Sequence, residues 1–264
     1  MARKIPALKL TKSPLVLVLA QIRFPAVLKM FTYVPEVQES LRQAGFSRYA
    51  EEQIQEIVFG PEIKTEKGSR WLFATRDKRQ AVVLTNDFVV YETTQYDVFE
   101  TFLDRVRAMV DVIKAKVQVD LSEQIGLRYV DLIRQINGRA PRDLLKEPLR
   151  GLTNDDLDAS ESRQQLMVQA KTQHGFLNLR MIENLGPSFM PPDLASTHLD
   201  FPATLEQKEV YRLLDFDHIF RGDVDFEAKA IEEKLAALHE STTKAFRAAV
   251  TTEALDYWKG GGGT

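Results

Sequence analysis

Two arginines in apolar, strand-like runs are the residues of this sequence best placed to do chemistry. Arg23 lies inside the run at 15–28, and Arg128 lies inside the run at 125–136. An arginine in such a strand must find a partner or reach water, because burying an unpaired charge is costly. The pattern favours a structural role, in which each arginine points off a solvated sheet face or is held by a carboxylate. In the alternative interpretation, both converge on an anionic ligand, which guanidinium groups bind through paired hydrogen bonds.

Aromatic residues near these strands complete the predicted ligand-binding set. Tyr129 directly follows Arg128, and Tyr96 ends a Thr-Thr-Gln-Tyr segment. The site predicted from sequence is therefore Arg23, Arg128, Tyr129 and Tyr96. A wider aromatic set could stack on nucleic-acid bases, although core packing explains it more simply: Trp71, Phe73, Tyr91, Tyr96, Tyr129 and Phe176.

Several catalytic chemistries lack their usual residues. The chain has no cysteine, and its four histidines are far apart without metal-binding spacing. It also lacks the glycine-rich phosphate loop, the dinucleotide motif and the Gly-x-Ser-x-Gly motif. We predict no catalytic residue, no metal and no cofactor, and the sequence leans away from an enzyme without excluding one.

The acidic segment at 215–225 is rich in aspartate but does not match a calcium loop, which needs glycine and glutamate at fixed positions. Asp215 and Asp217 would share one face of a strand. We predict that this face is solvated, and that Asp223 or Asp225 caps the following helix.

The first half of the chain reads as a strand, a helix, four strands and a long helix. The first strand covers 15–28, and Pro35 opens a helix that Gly45 closes. Four strands follow at 54–59, 71–75, 81–84 and 88–93. Thr94 and Asp97 then resemble a capping box, and the helix behind it carries one apolar stripe: Val98, Phe102, Val106, Met109, Ile113 and Val117.

The second half reads in nearly the same order. A strand at 125–136 and a short helical segment at 141–149 precede strands at 164–170, 176–183, 198–205 and 211–216. A final helix runs from about residue 226. Prolines make residues 184–197 an irregular loop.

This order predicts an α+β protein made of two β-α-β(3-4)-α repeats, with antiparallel sheet or sheets packed on two long helices. Residues 21–24 match residues 126–129, which would make Arg23 and Arg128 equivalent. The repeats would cover 1–118 and 119–258, followed by a flexible tail at 259–264. No Gly/Ser-rich linker separates the halves, so we expect them to be tightly joined.

The motifs at 91–96, 125–129 and 238–247 resemble a sporadically distributed family of prokaryotic proteins of about this length, which carries Thr-Thr-x-Tyr and Ile-Gly-Leu-Arg-Tyr motifs. That resemblance implies no particular activity, but it points to the accessory genome, where defence and toxin–antitoxin modules accumulate. The repeated element order also resembles the TATA-binding-protein-like and helix-grip folds, which hold ligands on the concave side of a continuous sheet or in the gap between sheet and long helix.

Three functions follow as hypotheses. The first is a non-catalytic binding or regulatory protein that acts through a protein partner, as a neutralising or accessory component of a toxin–antitoxin or defence-type system. The alternative is a small anionic-ligand-binding helix-grip protein or enzyme with a cavity between sheet and helix. The third is nucleic-acid binding on a curved sheet, which a formal net charge of −3 disfavours.

The location follows from hydropathy. The basic start, with Arg3 and Lys4, precedes an apolar run that continues as a strand rather than ending in a cleavage site. No run approaches the roughly 18 apolar residues of a membrane span. We therefore expect a cytoplasmic protein without a membrane partner, which could form homo-oligomers.

Overall fold

The computed structural model of the protein describes residues 9–59, 63–194 and 198–260, and an antiparallel sheet is its central layer. The strands are β1 (Leu15–Arg23), β2 (Arg48–Phe59), β3 (Ile63–Ala74), β4 (Gln80–Leu84), β5 (Phe88–Thr93), β6 (Leu121–Ile133), β7 (Gln165–Thr172), β8 (Gly175–Leu185) and β9 (Val210–Asp225). They form one nine-stranded sheet in the order β2-β3-β4-β5-β1-β6-β9-β8-β7. β1 and β6 pair in its middle, with Gln21 opposite Gly126. The predicted α+β class with an antiparallel sheet is therefore confirmed.

Three long helices cover one face of this sheet, which we call the helix-covered face. The helices are α1 (Met30–Gln43), α2 (Phe99–Val117), α3 (Ala228–Ala249) and the short α4 (Thr252–Trp258). Alternate residues of β1 and β6, such as Ile22 and Leu127, belong to the same buried cluster as residues of α1, α2 and α3. No helix of the described chain is long and apolar enough to cross a membrane.

The opposite face is covered by chain without long helices, and we call it the loop-covered face. The cover segment comprises residues 186–194 and 198–209, and its only regular element is a 3₁₀ helix, Pro192–Leu194. Phe189, Leu199 and Leu205 of this segment are buried against sheet residues such as Leu72 and Val83. The irregular loop predicted for 184–197 is thus largely confirmed in its described part, although Asn184 and Leu185 belong to β8.

The prediction of a strand at 198–205 is wrong. Leu199, Phe201 and Leu205 alternate with other residues because they pack down onto the sheet face, and the segment is not hydrogen-bonded into the sheet ladder. Pro202 also lacks the N–H group that a ladder needs. A period of two therefore arose here from packing rather than from strand pairing.

Two helix starts differ from the sequence prediction. α1 begins at Met30 rather than Pro35, because Met30 is fully buried and extends the apolar stripe by one turn. α2 begins at Phe99 behind an extended Val98, without a side-chain cap. Thr94 does not cap it, since its hydroxyl group donates to the Asp200 carbonyl at 2.8 Å.

Elements in the second half of the chain also differ from those predicted from the sequence. Asp223 and Asp225 lie within β9, and α3 is preceded by Glu227 without a side-chain cap, so the predicted aspartate cap is wrong. The short helical segment at 141–149 is two 3₁₀ helices, Pro141–Leu144 and Glu147–Leu149. The N-terminal Arg3 and Lys4, and residues 261–264 of the predicted tail, lie outside the described residues.

Candidate functional site

A cavity of about 350 Å³ lies between the sheet and the cover segment, and we call it the loop-side cavity. Its floor comes from β1, β3, β4, β5, β6 and β9, and its roof from the 3₁₀ helix and His198. Its volume falls in the range typical of small-molecule sites. The lining residues are Leu19, Gln21, Arg70, Leu72, Val83, Phe88, Val90, Glu92, Gly126, Arg128, Asp193, Leu194, His198, Asp217 and Ile219.

Arg128 is the central cation of this cavity. It is only 7% exposed, and its guanidinium group is held by Asp215 of β9, which is fully buried. The Arg128 Nε atom donates to Asp215 Oδ1 at 2.7 Å, and a terminal nitrogen donates to Oδ2 at 2.8 Å. This paired geometry orients the guanidinium plane and aims its remaining N–H groups at the cavity.

Asp193 of the cover segment occupies those remaining N–H groups. Arg128 donates to its two carboxylate oxygens at 2.6 and 3.2 Å, and Arg180 of β8 lies 3.4 Å from both. Burial alone would raise the pKa of Asp193, but the hydrogen bonds and charges of Arg128 and Arg180 lower it to about 2. Asp193 is therefore a fully ionised carboxylate at neutral pH, bound to an arginine anchor.

The remaining charges in the loop-side cavity are mixed in sign. Arg70 pairs with Glu52, which also pairs with His198. Burial raises the pKa of Asp217, and the Asp215 charge raises it further, while Arg128 opposes both effects. The cavity thus combines apolar walls with arginines and carboxylates, an arrangement suited to a polar organic molecule.

A second cavity of about 100 Å³ lies on the helix-covered face, and we call it the helix-side cavity. It is bounded by the N-terminal segment, β6, β9, the residues before α2, and the C-terminal half of α3. Among the described lining residues, none is Lys or Arg: Leu10, Ser13, Leu15, Tyr96, Asp97, Tyr129, Asp131, Phe216, His239, Thr242, Thr243 and Phe246.

Tyr129 and His239 are hydrogen-bonded beside this cavity. The Tyr129 hydroxyl group lies 2.7 Å from His239 Nδ1, and the Tyr96 ring meets the Tyr129 ring edge to face at 6.0 Å. Phe99 stacks on the imidazole ring with 3.9 Å between ring centres. Burial lowers the pKa of His239 to about 4, so the ring is neutral at neutral pH.

Asp131 is the least expected group in the helix-side cavity. It is 4% exposed, and no described residue hydrogen-bonds or ion-pairs with its carboxyl group. Burial raises its pKa to about 8, and the nearby negative charge of Asp215 contributes in the same direction. A buried carboxyl group without a partner costs folding free energy, which makes it a candidate for function.

The sequence-predicted residues are divided between the two faces. Tyr96 and Tyr129 come together in the helix-side cavity, whereas Arg128 lines the loop-side cavity. Arg23 lines neither of them: it ends β1, pairs with Asp87, and lies 5.7 Å from the centre of the Phe88 ring. The structure therefore does not bring all four residues to one cavity.

Sequence reasoning missed Asp131, Asp193 and His239, and it placed Asp215 on a solvated face, which is wrong. A local signal for Asp131 was present, because it follows Leu127 and Tyr129 at alternate positions on the buried face of β6. Asp215 is buried because β9 is an inner strand, and on the loop-covered face Arg128 of β6 and Arg180 of β8 pair with it from either side. No local signal identified Asp193 or His239, since their contacts are long-range.

No group of three or more His, Asp or Glu side chains is placed to bind a metal ion in the described part of the chain. Comparisons with known protein families, with curated proteins and with solved structures found no match to this chain. The suggested family and fold resemblances therefore remain predictions, and the functional argument depends on the geometry of the two cavities.

Proposed function

We propose that the protein binds a small carboxylate-containing molecule in the loop-side cavity, with Arg128 as its anchor. The observation that carries this proposal is the position of Asp193. Its carboxylate occupies the outward N–H groups of an arginine whose other side is already held by Asp215. Asp193 thus has the place and chemistry that a ligand carboxylate would have.

Asp193 is well suited to be displaced, whereas Asp215 is not. The Asp215 side chain is fully buried on an inner strand, but the Asp193 side chain is 50% exposed on a short 3₁₀ helix. Movement of that helix would release the outward face of Arg128 without disturbing the sheet. An incoming carboxylate could then accept the same hydrogen bonds.

The charge balance also favours an anionic ligand. With Asp193 bound to Arg128, as in this structure, the charges of Arg128 and Arg180 are offset by those of Asp193 and Asp215. Departure of Asp193 leaves one excess positive charge in the group formed by Arg128, Arg180 and Asp215. A carboxylate restores neutrality there, while an uncharged amide of the same shape does not.

A competition experiment with matched variants tests this proposal. Wild type, Asp193→Asn and Asp200→Asn are screened by thermal denaturation against small carboxylic acids of about 6–15 non-hydrogen atoms, a size suited to such a cavity. Each acid is paired with its primary amide. Asp200 lies in the same cover segment and is exposed, so Asp200→Asn makes the same charge change away from Arg128. Small molecules that co-purify with each variant are identified by mass spectrometry after denaturation.

We expect at least one acid to stabilise the protein while its amide does not. Asp193→Asn should bind that acid at least tenfold more tightly than wild type, because the internal competitor has lost its charge. Asp200→Asn should bind it as wild type does. Three results would contradict the proposal. These are equal binding of acids and amides, weaker binding of the acid by Asp193→Asn than by wild type, and the absence of any bound or co-purified acid with both wild type and Asp193→Asn.

A second candidate function is docking of a protein partner, and the edge strand β7 supports it. Among the described strands, β7 pairs only with β8, and its residues Met167 and Val168 are 64% and 44% exposed. An exposed edge with apolar side chains can accept an extended segment of another protein as an additional strand. This candidate retains the hypothesis of a regulatory protein, while its place in a toxin–antitoxin or defence-type system remains a prediction.

Capture from a host lysate tests the edge-strand candidate. Met167→Lys adds a charge on β7, and Leu152→Lys makes a similar change at another exposed apolar residue. A partner that docks on β7 should be recovered with wild type and Leu152→Lys but lost with Met167→Lys. Recovery of the same proteins with all three would refute docking at this edge.

The internal duplication remains a proposal, and the strand order supports it. Outward from the β1–β6 pair, each side of the sheet begins with its own half's last strand, β5 or β9. Alternation also directs Arg23 and Arg128 to the same loop-covered face, and each has an aspartate partner. Nucleic-acid binding is less favoured, because the formal net charge of the chain is −3.

A further inference from the structure

The helix-side cavity is distinct from the proposed carboxylate site, and its lining has the opposite chemistry. It contains a buried carboxyl group, a second carboxylate at an exposed position, and several aromatic rings. The described lining has no Lys or Arg, although arginines dominate the other cavity. Carboxylates together with aromatic faces form the usual environment for an ammonium group, which rings attract through their π-electrons.

From this arrangement we infer that the helix-side cavity binds a small organic cation, with Asp131 as its counter-ion. Asp131 is 4% exposed and has no hydrogen-bond or ion-pair partner among the described residues. Its carboxyl group is therefore available to a guest, and an ammonium group would provide the missing opposite charge and hydrogen-bond donors.

The neighbouring groups are compatible with a cation. His239 is neutral at neutral pH, because burial lowers its pKa to about 4, so it does not repel a positive charge. Tyr129 contributes its ring beside the cavity, while its hydroxyl group is held by His239. Asp97 is exposed at the edge of the cavity and forms an ion pair with Lys9 at 3.5 Å, so it offsets the charge of that lysine.

The size of the cavity limits the guest. A cavity of about 150 Å³ is known to hold benzene, which has six non-hydrogen atoms. The helix-side cavity of about 100 Å³ therefore suits a cation of about five non-hydrogen atoms. tert-Butylammonium has this size, and tert-butanol is an uncharged molecule of nearly the same shape.

The affinity should depend on pH, because a neutral Asp131 cannot pair with an ammonium group. The ionisable groups that face Asp131 or act on it are Tyr129 on β6, Asp215 on β9, Tyr96 and Asp97 before α2, and His239 on α3. Tyr96 and Tyr129 stay protonated through the neutral range because burial raises the pKa of each. With the pKa of Asp131 at about 8, binding should strengthen from pH 6 to pH 9. The guest stays charged there, since alkylammonium groups titrate near pH 10.4, as lysine does.

Titration calorimetry with tert-butylammonium chloride and tert-butanol at pH 6 and pH 9 tests the inference. Wild type is compared with Asp131→Asn and with Asp111→Asn, which removes the same charge from an exposed position of α2. Wild type at pH 9 should bind the ammonium at least tenfold more tightly than at pH 6, and more tightly than it binds the alcohol. Asp131→Asn should lose at least tenfold of that affinity at pH 9, whereas Asp111→Asn should retain it.

The comparison of the two pH values uses wild type alone, so it does not depend on the folding of any variant. The absence of ammonium binding to wild type, equal affinity for the alcohol, or unchanged binding by Asp131→Asn would each overturn the inference. The carboxylate proposal is unaffected by these outcomes, because its variants and probes address the other face of the sheet.

Discussion

Asp131 and Asp215 are buried to a similar extent on neighbouring strands, but their surroundings are opposite. Asp215 accepts hydrogen bonds from Arg128 and Arg180 on the loop-covered face. Asp131 lies on the helix-covered face, and no described residue provides it with a hydrogen bond or an opposite charge. Burial alone therefore does not define the role of a carboxylate. The paired one stabilises the fold, and the unpaired one is the centre of the proposed cation site.

The largest expected effect comes from making the same substitution at both aspartates. Asp215→Asn leaves Arg128 and Arg180 without a buried counter-charge, and we expect a loss of about 3–5 kcal/mol in the free energy of unfolding. Asp131→Asn should instead stabilise the protein at pH 9, because it removes an unpaired buried charge. Urea unfolding at pH 9 measures both changes, and a loss of similar size at both positions would invalidate the comparison.

The pH dependence of stability should sharpen the contrast. The pKa of Asp131 is raised from an ordinary 3.8 to about 8 in the fold, so the folded state holds this proton more tightly than the unfolded chain does. Its contribution to stability is complete below pH 4 and is lost as the pH rises to about 8, by about 1.4 kcal/mol per unit. Unfolding of wild type and Asp131→Asn is to be measured across this range.

The difference in unfolding free energy between the two proteins should therefore shift steadily in favour of the variant from pH 4 to pH 8. His239 acts in the opposite direction, because a lowered histidine pKa removes stability as the pH falls from 6.5 to about 4. That contribution is present in both proteins and cancels in the difference. Parallel curves for the two proteins would mean that Asp131 does not titrate in this range.

A smaller effect should connect the two faces. The charge of Asp215 helps to raise the pKa of Asp131, although the two side chains lie on opposite sides of the sheet. Asp215→Asn should therefore bring the pKa of Asp131 below about 8, which carboxyl ¹³C NMR can follow directly. Asp111→Asn is the control and should leave that pKa unchanged. An unaltered titration in Asp215→Asn would show that the faces are electrostatically independent.

The smallest expected effect is at Arg23, which the proposed duplication would make equivalent to Arg128. Its pair with Asp87 is partly exposed, whereas the Arg128 side chain is 8% exposed. Arg23→Gln should cost at most about 1 kcal/mol of unfolding free energy, as is usual for surface ion pairs. Arg128→Gln should cost several times more. Equal losses would indicate that the two arginines have equivalent structural roles.

The regular elements were largely predictable because their signals are local. The apolar stripe of α2 identified that helix, and the stretch predicted for β5 matches the strand found. The spacing of apolar residues determines which face of an element is buried, whatever it packs against. Tyr96, Tyr129 and Arg128 were identified for the same reason, since each lies in or beside such an element.

The partners of these residues were not predictable, because they depend on long-range contacts. Asp193 approaches Arg128 across 65 positions of the chain, and His239 approaches Tyr129 across 110. Residues 198–205 show the same limit, since a period of two describes both a strand and a segment packed onto a sheet face. Only the folded chain distinguishes these cases.

Each face of the strand β6 contributes residues to a cavity. Arg128 lines one cavity, whereas Tyr129 and Asp131 line the other, so neighbouring residues serve different cavities. Inserting or deleting one residue within this strand would exchange the two sets, turning the arginine into the helix layer and the tyrosine towards the cover segment. Substitutions in β6 can therefore alter each cavity separately, while a change in its length would remove both together.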